Sequence, residues 1–265
     1  MFDALAIGAT GMQAQQTNVE TIANNLANVN TVGFKKARVG FADLMVREAA
    51  AVAAPNADDL RAGALAAAPR MGAGVAVAST AKVFDAAEEK KTDSPLDLAI
   101  RGDGFVEVTM PDGSSAFTRG GTLKVNKDGL LATAAGYPLK ASIAIPDNAQ
   151  SLVIGGDGRV QVRLPNQANA VEVGRIELVR FASPGLLAAL GDNLYRASPG
   201  SGEPIPVRPG EDGAATFAQG FLEGSNVKMV DEMVNLMLAQ GAYGACVKVV
   251  QAADEMLGLV NNLRK

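Results

Sequence analysis

Few residues in this chain have types and spacings suited to chemistry. Ser79-Thr80-Ala81-Lys82 matches Ser-x-x-Lys, a spacing that on a helix brings a lysine amine toward a serine hydroxyl as its base. The supporting Ser-Asp-Asn and Lys-Thr-Gly elements are absent, and the surrounding sequence reads as strand or connector. The glycine-rich stretches GAGVAVAS (72–79) and RGDGFVEV (101–108) lack the lysine and hydroxyl that complete a phosphate loop. Asp157 and Asp212 are each followed by glycine, so turn geometry explains them, and no 12-residue loop of oxygen ligands surrounds either. Glu88-Glu89-Lys90-Lys91 reads as solvated surface. Cys246, inside an apolar helical run, reads as a packing residue. The chain has no histidine and one cysteine, which removes His-based triads, His/Cys zinc sites and an internal disulfide. No catalytic residue, no metal ligand and no cofactor is assigned, and an enzyme is not expected.

The elements that would position any site divide the chain into parts. Its 265 residues, 48% hydrophobic, suffice for one large domain or two modest ones, and a net charge of −4 leaves no broad cationic surface for nucleic acid. Leu5, Met12, Val19 and Leu26 recur every seven residues, with Gly8, Gln15, Ile22 and Val29 three further on. Met229, Leu236, Tyr243, Val250 and Leu257 repeat in the same way, accompanied by Ala239, Cys246, Ala253 and Val260. Two long terminal helices are therefore predicted, and the small companions at 239, 246 and 253 would let another helix approach closely. The first sixteen residues, with Asp3 and interrupting glycines and glutamines, read as neither a signal peptide nor a membrane span.

Residues 49–78 are rich in Ala, Gly and Pro and read as an extended or weakly ordered connector. From about 80 to 220 short alternating runs such as Val106/Val108/Met110 and Val160/Val162/Leu164 predict strands. Asp-Gly pairs beginning at 103, 112, 128, 157 and 212 supply turn residues able to take positive φ. SLVIGGDGRVQVRL (151–164) reads as a hairpin turning at Gly155 to Gly158. The expected fold class is mixed α and β: terminal helices pairing as a coiled-coil-like domain around a mostly antiparallel all-β central domain. The expected divisions are 1–46 for the first helix and its exit, 47–79 for the connector, 80–220 for the β domain and 221–265 for the last helix.

Three blocks carry a resemblance. They are TGMQAQQTNVETIANNLANVNTVGFKKARVGFADL (10–44), DSPLDLAIRGDGFVEVTMPDGSSAFTRGGTLKVNKDGLLATAAGYPL (93–139), continued by GDNLYRASPGSGEP (191–204), and AQGFLEGSNVKMVDEMVNLMLAQGAYGACVKVVQAADEMLGLVNNL (218–263). Together they resemble the bacterial flagellar rod and hook protein family over most of the chain. Length and connector favour a distal rod subunit over the shorter proximal rod proteins, and the modest β domain argues against a full hook protein.

The resemblance implies a non-enzymatic building block, exported through the flagellar type III channel without a cleaved signal. It also implies polymerisation into a hollow helical rod crossing the periplasm within the basal body, with no membrane insertion. The implied partners are further copies of itself, proximal rod proteins, the hook protein, the surrounding rings and the export apparatus. In that family the paired terminal helices line the inner tube. This chain departs from it at Gln240-Gly241-Ala242-Tyr243-Gly244, where relatives usually have Gln-Arg-Ala-Tyr-Glu, and at Gly120-Gly121-Thr122-Leu123 after the Thr-Arg pair. Each interior helix glycine costs about 1 kcal/mol relative to alanine.

Within IANNLANVNTVGFKK (22–36), Ile22, Leu26 and Val29 hold the seam, which leaves Asn24, Asn25 and Asn28 to side or outer faces as candidates for bonds to neighbouring subunits. Asn30 and Gly33 tolerate left-handed backbone and can end the helix. Ser225 and Asn226 belong to the family's entry into the last helix. Folding of the two ends is expected to be coupled to polymerisation. Two rivals stand beside this reading: a secreted β-domain hydrolase using Ser79 and Lys82, and a secreted adhesin or fibre unrelated to flagella.

Overall fold

The computed structural model describes residues 2–48, 70–165, 169–211 and 215–262. The chain forms two compact units, Met1–Asn24 with Arg38–Thr80 and Val230–Lys265, and Asn25–Ala37 with Ala81–Met229.

The first unit holds most of helix α1 (Phe2–Ala27) and helix α2 (Met229–Asn262), and most of a two-stranded sheet of β1 (Ala37–Glu48) and β2 (Arg70–Lys82). Asp3 in the first turn of α1, and Asp231 and Glu232 in that of α2, complement the positive ends of the helix dipoles. The two helices meet where α1 has no side chains. A Cβ on Gly8 would lie 2.8 Å from Val250 Cγ2, and one on Gly11 would lie 3.0 Å from Cys246 Sγ. Rising numbers in α1 meet falling numbers in α2, so the helices are antiparallel at this crossing.

Strand β2 approaches α1 as closely. Gly74, at φ +113, leaves room for the Thr10 hydroxyl, which accepts the Val75 N–H at 3.3 Å and donates to Ile7 O at 2.8 Å. The connector expected from sequence is thus strand wherever it is described, and so is the last part of the helix exit. Residues 70–79 lie in β2 and 37–46 in β1, while 49–69 fall outside the described residues. The alternation is hidden there because Gly72, Gly74 and the intervening alanines give no contrast in hydropathy.

The second unit is the β domain. Its strands are β3 (Glu89–Lys91), β4 (Asp97–Arg101), β5 (Phe105–Thr109), β6 (Ser115–Thr118), β7 (Gly120–Val125) and β8 (Leu131–Thr133). They continue with β9 (Ser151–Ile154), β10 (Arg159–Arg163), β11 (Val171–Arg175), β12 (Leu178–Arg180) and β13 (Ala188–Gly191). The last are β14 (Leu194–Arg196), β15 (Ile205–Val207), β16 (Thr216–Gln219) and β17 (Phe221–Glu223). They form sheets ordered β13-β14-β6-β5-β12-β15, β16-β4-β7-β8, β11-β10-β9 and β17-β3. Every strand pairing recorded for this unit is antiparallel.

The hairpin read at 151–164 is present as β9–β10, with Gly158 at φ +80. Asp-Gly turns at Gly113 and Gly129 also take positive φ; at 101–104 it is Gly102 that does so, and 212–213 lies outside the described residues. Ile143 and Ile145 are core side chains on irregular backbone rather than on a strand.

One core gathers Leu98, Val108, Leu131, Val160, Val162 and Leu178. A second is aromatic: Phe105 and Phe117 pack edge-on against Phe181 with centroids 5.7 and 4.9 Å apart, and Phe84 does so against Tyr195 at 5.0 Å. Gly120, at φ +96, lets β7 come so close to β4 that a Cβ would lie 2.6 Å from Leu98 O, which accounts for a glycine at that departure from the family pattern. The β domain runs past residue 220, since β17 pairs with β3, and it also takes in residues 25–37; α2 begins at Met229 rather than near 221.

Candidate functional site

Two features stand out, one in each unit. The first is the surface of α2. Its buried line is Glu232, Ala239 and Ala253, spaced by sevens and multiples of seven, with Cys246 half-buried between. The line predicted to lead the seam is less buried: Leu236, Val250 and Leu257 are half-buried, while Met229 and Tyr243 are exposed. At Gly8 and Gly11 the backbone of α1 leaves room for Val250 and Cys246 of this side of α2.

On α1, Ile22 is buried, and Leu5, Met12, Val19, Leu26 and Val29 are half-buried. The opposite face of α2 presents Val230, Met237, Leu238 and Leu259 at 73, 61, 67 and 65% exposure, together with Met233 and Val234. A Cβ on Gly241, Gly244 or Gly258 would meet nothing within 4 Å. Among the described residues, α2 alone is long and apolar enough to cross a membrane.

The second feature is a buried polar junction in the β domain, where residues 25–37, 82–87 and 223–227 are laced together. Lys35, with none of its side chain exposed, donates through Nζ to Glu223 Oε1 at 2.6 Å and to Asp85 O at 2.7 Å. Glu223 Oε2 accepts Arg119 Nε at 3.1 Å, and Oε1 also accepts the Ala87 N–H at 3.2 Å. Arg119 also donates to the carbonyls of Gly102, Gly104 and Ile100. Burial pulls the Lys35 amine below the usual lysine range, against the hydrogen bond and charge of Glu223. Tyr195, close enough to feel Arg119 and Glu223, is pushed up to about 12 by burial.

Around this triad the backbone is stitched by asparagines. Asn25, buried, donates Nδ2 to Ala37 O and accepts the Ala37 N–H, both at 2.9 Å. Asn226 accepts the Lys36 N–H on Oδ1 at 2.7 Å, donates Nδ2 to Val83 O at 2.7 Å, and gives its backbone N–H to Phe34 O. Gly33 sits at φ +70 and donates to Glu223 O at 2.8 Å.

The expectation that Asn25 faces neighbouring subunits is therefore corrected. The chain turns back after α1 and brings Ala37 alongside it, a return that no helical periodicity encodes. Asn30 is not among the residues with positive φ, so Gly33 alone makes the left-handed turn expected of that pair. Asn28 accepts the Thr31 hydroxyl, Ser225 Oγ accepts the Val227 N–H, and Asn24 and Asn30 are exposed.

The structure does not bring Ser79 and Lys82 together as nucleophile and base. They lie three apart on strand β2, where such positions face opposite ways, and the Lys82 amine donates to Lys35 O at 2.8 Å while lying 4.4 Å over the Phe34 ring. Lys35, Arg119 and Glu223 themselves were not anticipated. Their separations of 104 and 188 residues leave no local pattern, and a lysine or glutamate at a strand end reads as solvated.

The elements around the junction are also those that match known proteins. Residues 5–35 match the family model described as flagella basal body rod protein, 99–162 that of the flagellar hook protein FlgE/F/G D1 domain, and 218–263 that of the flagellar basal body rod FlgEFG protein C-terminal. The flagellar basal-body rod protein FlgG of Borreliella burgdorferi is 40% identical over 271 residues, covering 100% of both chains. The FlgG proteins of Caulobacter vibrioides (40%, covering 98% of this chain and 99% of the relative) and Bacillus subtilis (35%, 100% of both) agree. The chain belongs to the flagellar basal-body rod protein family. It is accordingly a structural protein and not an enzyme, and the triad is a fold-holding cluster rather than a catalytic one. All three matched segments supply the junction directly, Lys35 from the first, Arg119 from the second, and Glu223 and Asn226 from the last.

Proposed function

We propose that this protein is a structural subunit of the flagellar distal rod, a self-assembling helical drive shaft that carries motor torque toward the hook. Full-length similarity to FlgG proteins supports the choice of member, although the FlgF protein of Caulobacter vibrioides, 34% identical over 98% of this chain, keeps a neighbouring rod position as the second reading.

The observation that carries self-assembly is the two-sided apolarity of α2. A helix with apolar residues on both sides belongs in an interior, yet the described residues cover only one side of α2. Helices of neighbouring copies cover the other side, extending the pairing of α1 and α2 into a coiled-coil-like inner layer. Lipid is the poorer cover, because Lys248 is exposed on this helix along with Asp254 and Glu255.

The subunit leaves the cell through the flagellar export apparatus and meets proximal rod proteins, the hook protein and the rings in place. Exposed Asn24 and Asn30 are candidates for contacts between copies. In a strain lacking the gene, Leu238→Asp is expected to abolish rods and swimming while the purified protein keeps the β-sheet circular dichroism of the unaltered chain. Normal rods with Leu238→Asp would refute the proposal.

A further inference from the structure

The chain passes between its two units four times, after Asn24, Ala37, Thr80 and Met229. On the β-domain side these passages are bonded from one to the next. At the first, the Asn25 side chain donates to Ala37 O and accepts the Ala37 N–H, which belong to the second. At the fourth, Asn226 accepts the Lys36 N–H of the second and donates to Val83 O of the third. Two backbone bonds complete the set: the Val83 N–H donates to Lys36 O at 2.9 Å, and the Asn226 N–H to Phe34 O at 3.3 Å. Residues 34–37 are therefore a hub bonded to each of the other three passages.

A primary amide suits this work because it offers a donor and an acceptor on one rigid plane. In Asn25 both serve one residue, so the side chain stands in for the neighbouring strand of a ladder. In Asn226 they serve two separate segments, so one side chain spans them. A carboxylate could accept but not donate, and alanine could do neither. Neither asparagine belongs to either apolar core of the β domain, so their bonds order its exits and not its body.

We propose that Asn25 and Asn226 are the laces of a collar: their amides tie the four exits of the β domain to one another, so that the exits open and close as one unit. Lifting the hub breaks every bond in the set, whereas a bond lost elsewhere loosens the hub and through it the remaining exits. A torque passing through the exits would then be divided among four backbone segments rather than fall on the first to yield. That last consequence rests on the drive-shaft reading; the collar itself does not.

The test is native-state hydrogen exchange on the free, full-length subunit, which reads the collar whether or not the chain builds a rod. In the unaltered protein the amides of Lys36, Ala37, Val83 and Asn226 should share one opening equilibrium. Asn226→Ala should speed exchange at all four by about tenfold or more, including Ala37, whose bonds to Asn25 it leaves in place. Asn25→Ala should likewise speed exchange at Val83 and Asn226, neither of which shares a bond with it in the set. The amides of β5 and β6 should keep their protection in both variants. Separate opening equilibria in the unaltered protein would overturn the proposal, as would variants that free only their own partners or that expose β5 and β6 as well. Failure of either variant to fold would also overturn it, since neither core contains the replaced side chain.

Discussion

Removing the central carboxylate of the triad should cost more than removing either cation. Glu223→Ala deletes three bonds at once, to Lys35 at 2.6 Å, Arg119 at 3.1 Å and the Ala87 N–H at 3.2 Å, and leaves two cations buried together. Breaking a buried pair in this way typically costs about 3–5 kcal/mol. At about 2–4 °C per kcal/mol for a domain of this size, the β-domain transition should fall by roughly 6–20 °C.

Lys35→Met removes one cation and leaves Glu223 paired with Arg119, so its cost should be nearer that of lost hydrogen bonds, about 1–2 kcal/mol. Thermal unfolding followed by far-ultraviolet circular dichroism reads both, which suits a chain without tryptophan. The order of the two variants is the decisive quantity. Equal losses, or a greater loss in Lys35→Met, would show that the three charges do not share one carboxylate in the way described.

Other outcomes follow from the same geometry. Gly8→Ala drives a methyl to 2.8 Å from Val250 Cγ2 and should destabilise the helical unit by about 1–3 kcal/mol, with Val250→Ala restoring most of it, as read by hydrogen exchange in α2. Gly241→Ala meets open space and should protect α2 amides by up to about 1 kcal/mol in the free subunit; an accompanying loss of rods would place the glycine against a neighbouring copy. Tyr195 holds its proton to about 12 when folded but loses it near its ordinary value of 10.0 when unfolded. Its contribution is therefore complete below pH 10 and is lost as pH rises toward 12. Tyr195→Phe should remove about 3 kcal/mol of that alkaline loss, measured as the difference between the two urea titrations.

The parts of the fold with a local period were legible in the sequence. Seven-residue spacing marked both helices, and Gly155 to Gly158 between alternating valines and isoleucines marked the β9–β10 hairpin. The small line of α2 at 239, 246 and 253, read as open to close approach, is the more buried one, whereas the larger residues read as leading the seam are half-buried or exposed; the glycines that face Val250 and Cys246 leave no mark in hydropathy. β2 was hidden by its own glycines and alanines.

The junction was illegible for a different reason. Lys35 and Glu223 are 188 residues apart, and a lysine beside a second lysine reads as surface until a carboxylate is placed against it. The helical seam leaves Asn25 to a side or outer face. Its partner, Ala37, arrives only because Gly33 turns the chain back.

Methionine oxidation compared between intact rods and free subunits tests the central claim most directly, because Met233, Met237 and Met256 are 46, 61 and 48% exposed on α2. If neighbouring copies cover this face, all three should oxidise readily in the subunit and resist the same treatment in the rod. Equal oxidation in both states would contradict the assignment of α2 as the surface on which the rod is built.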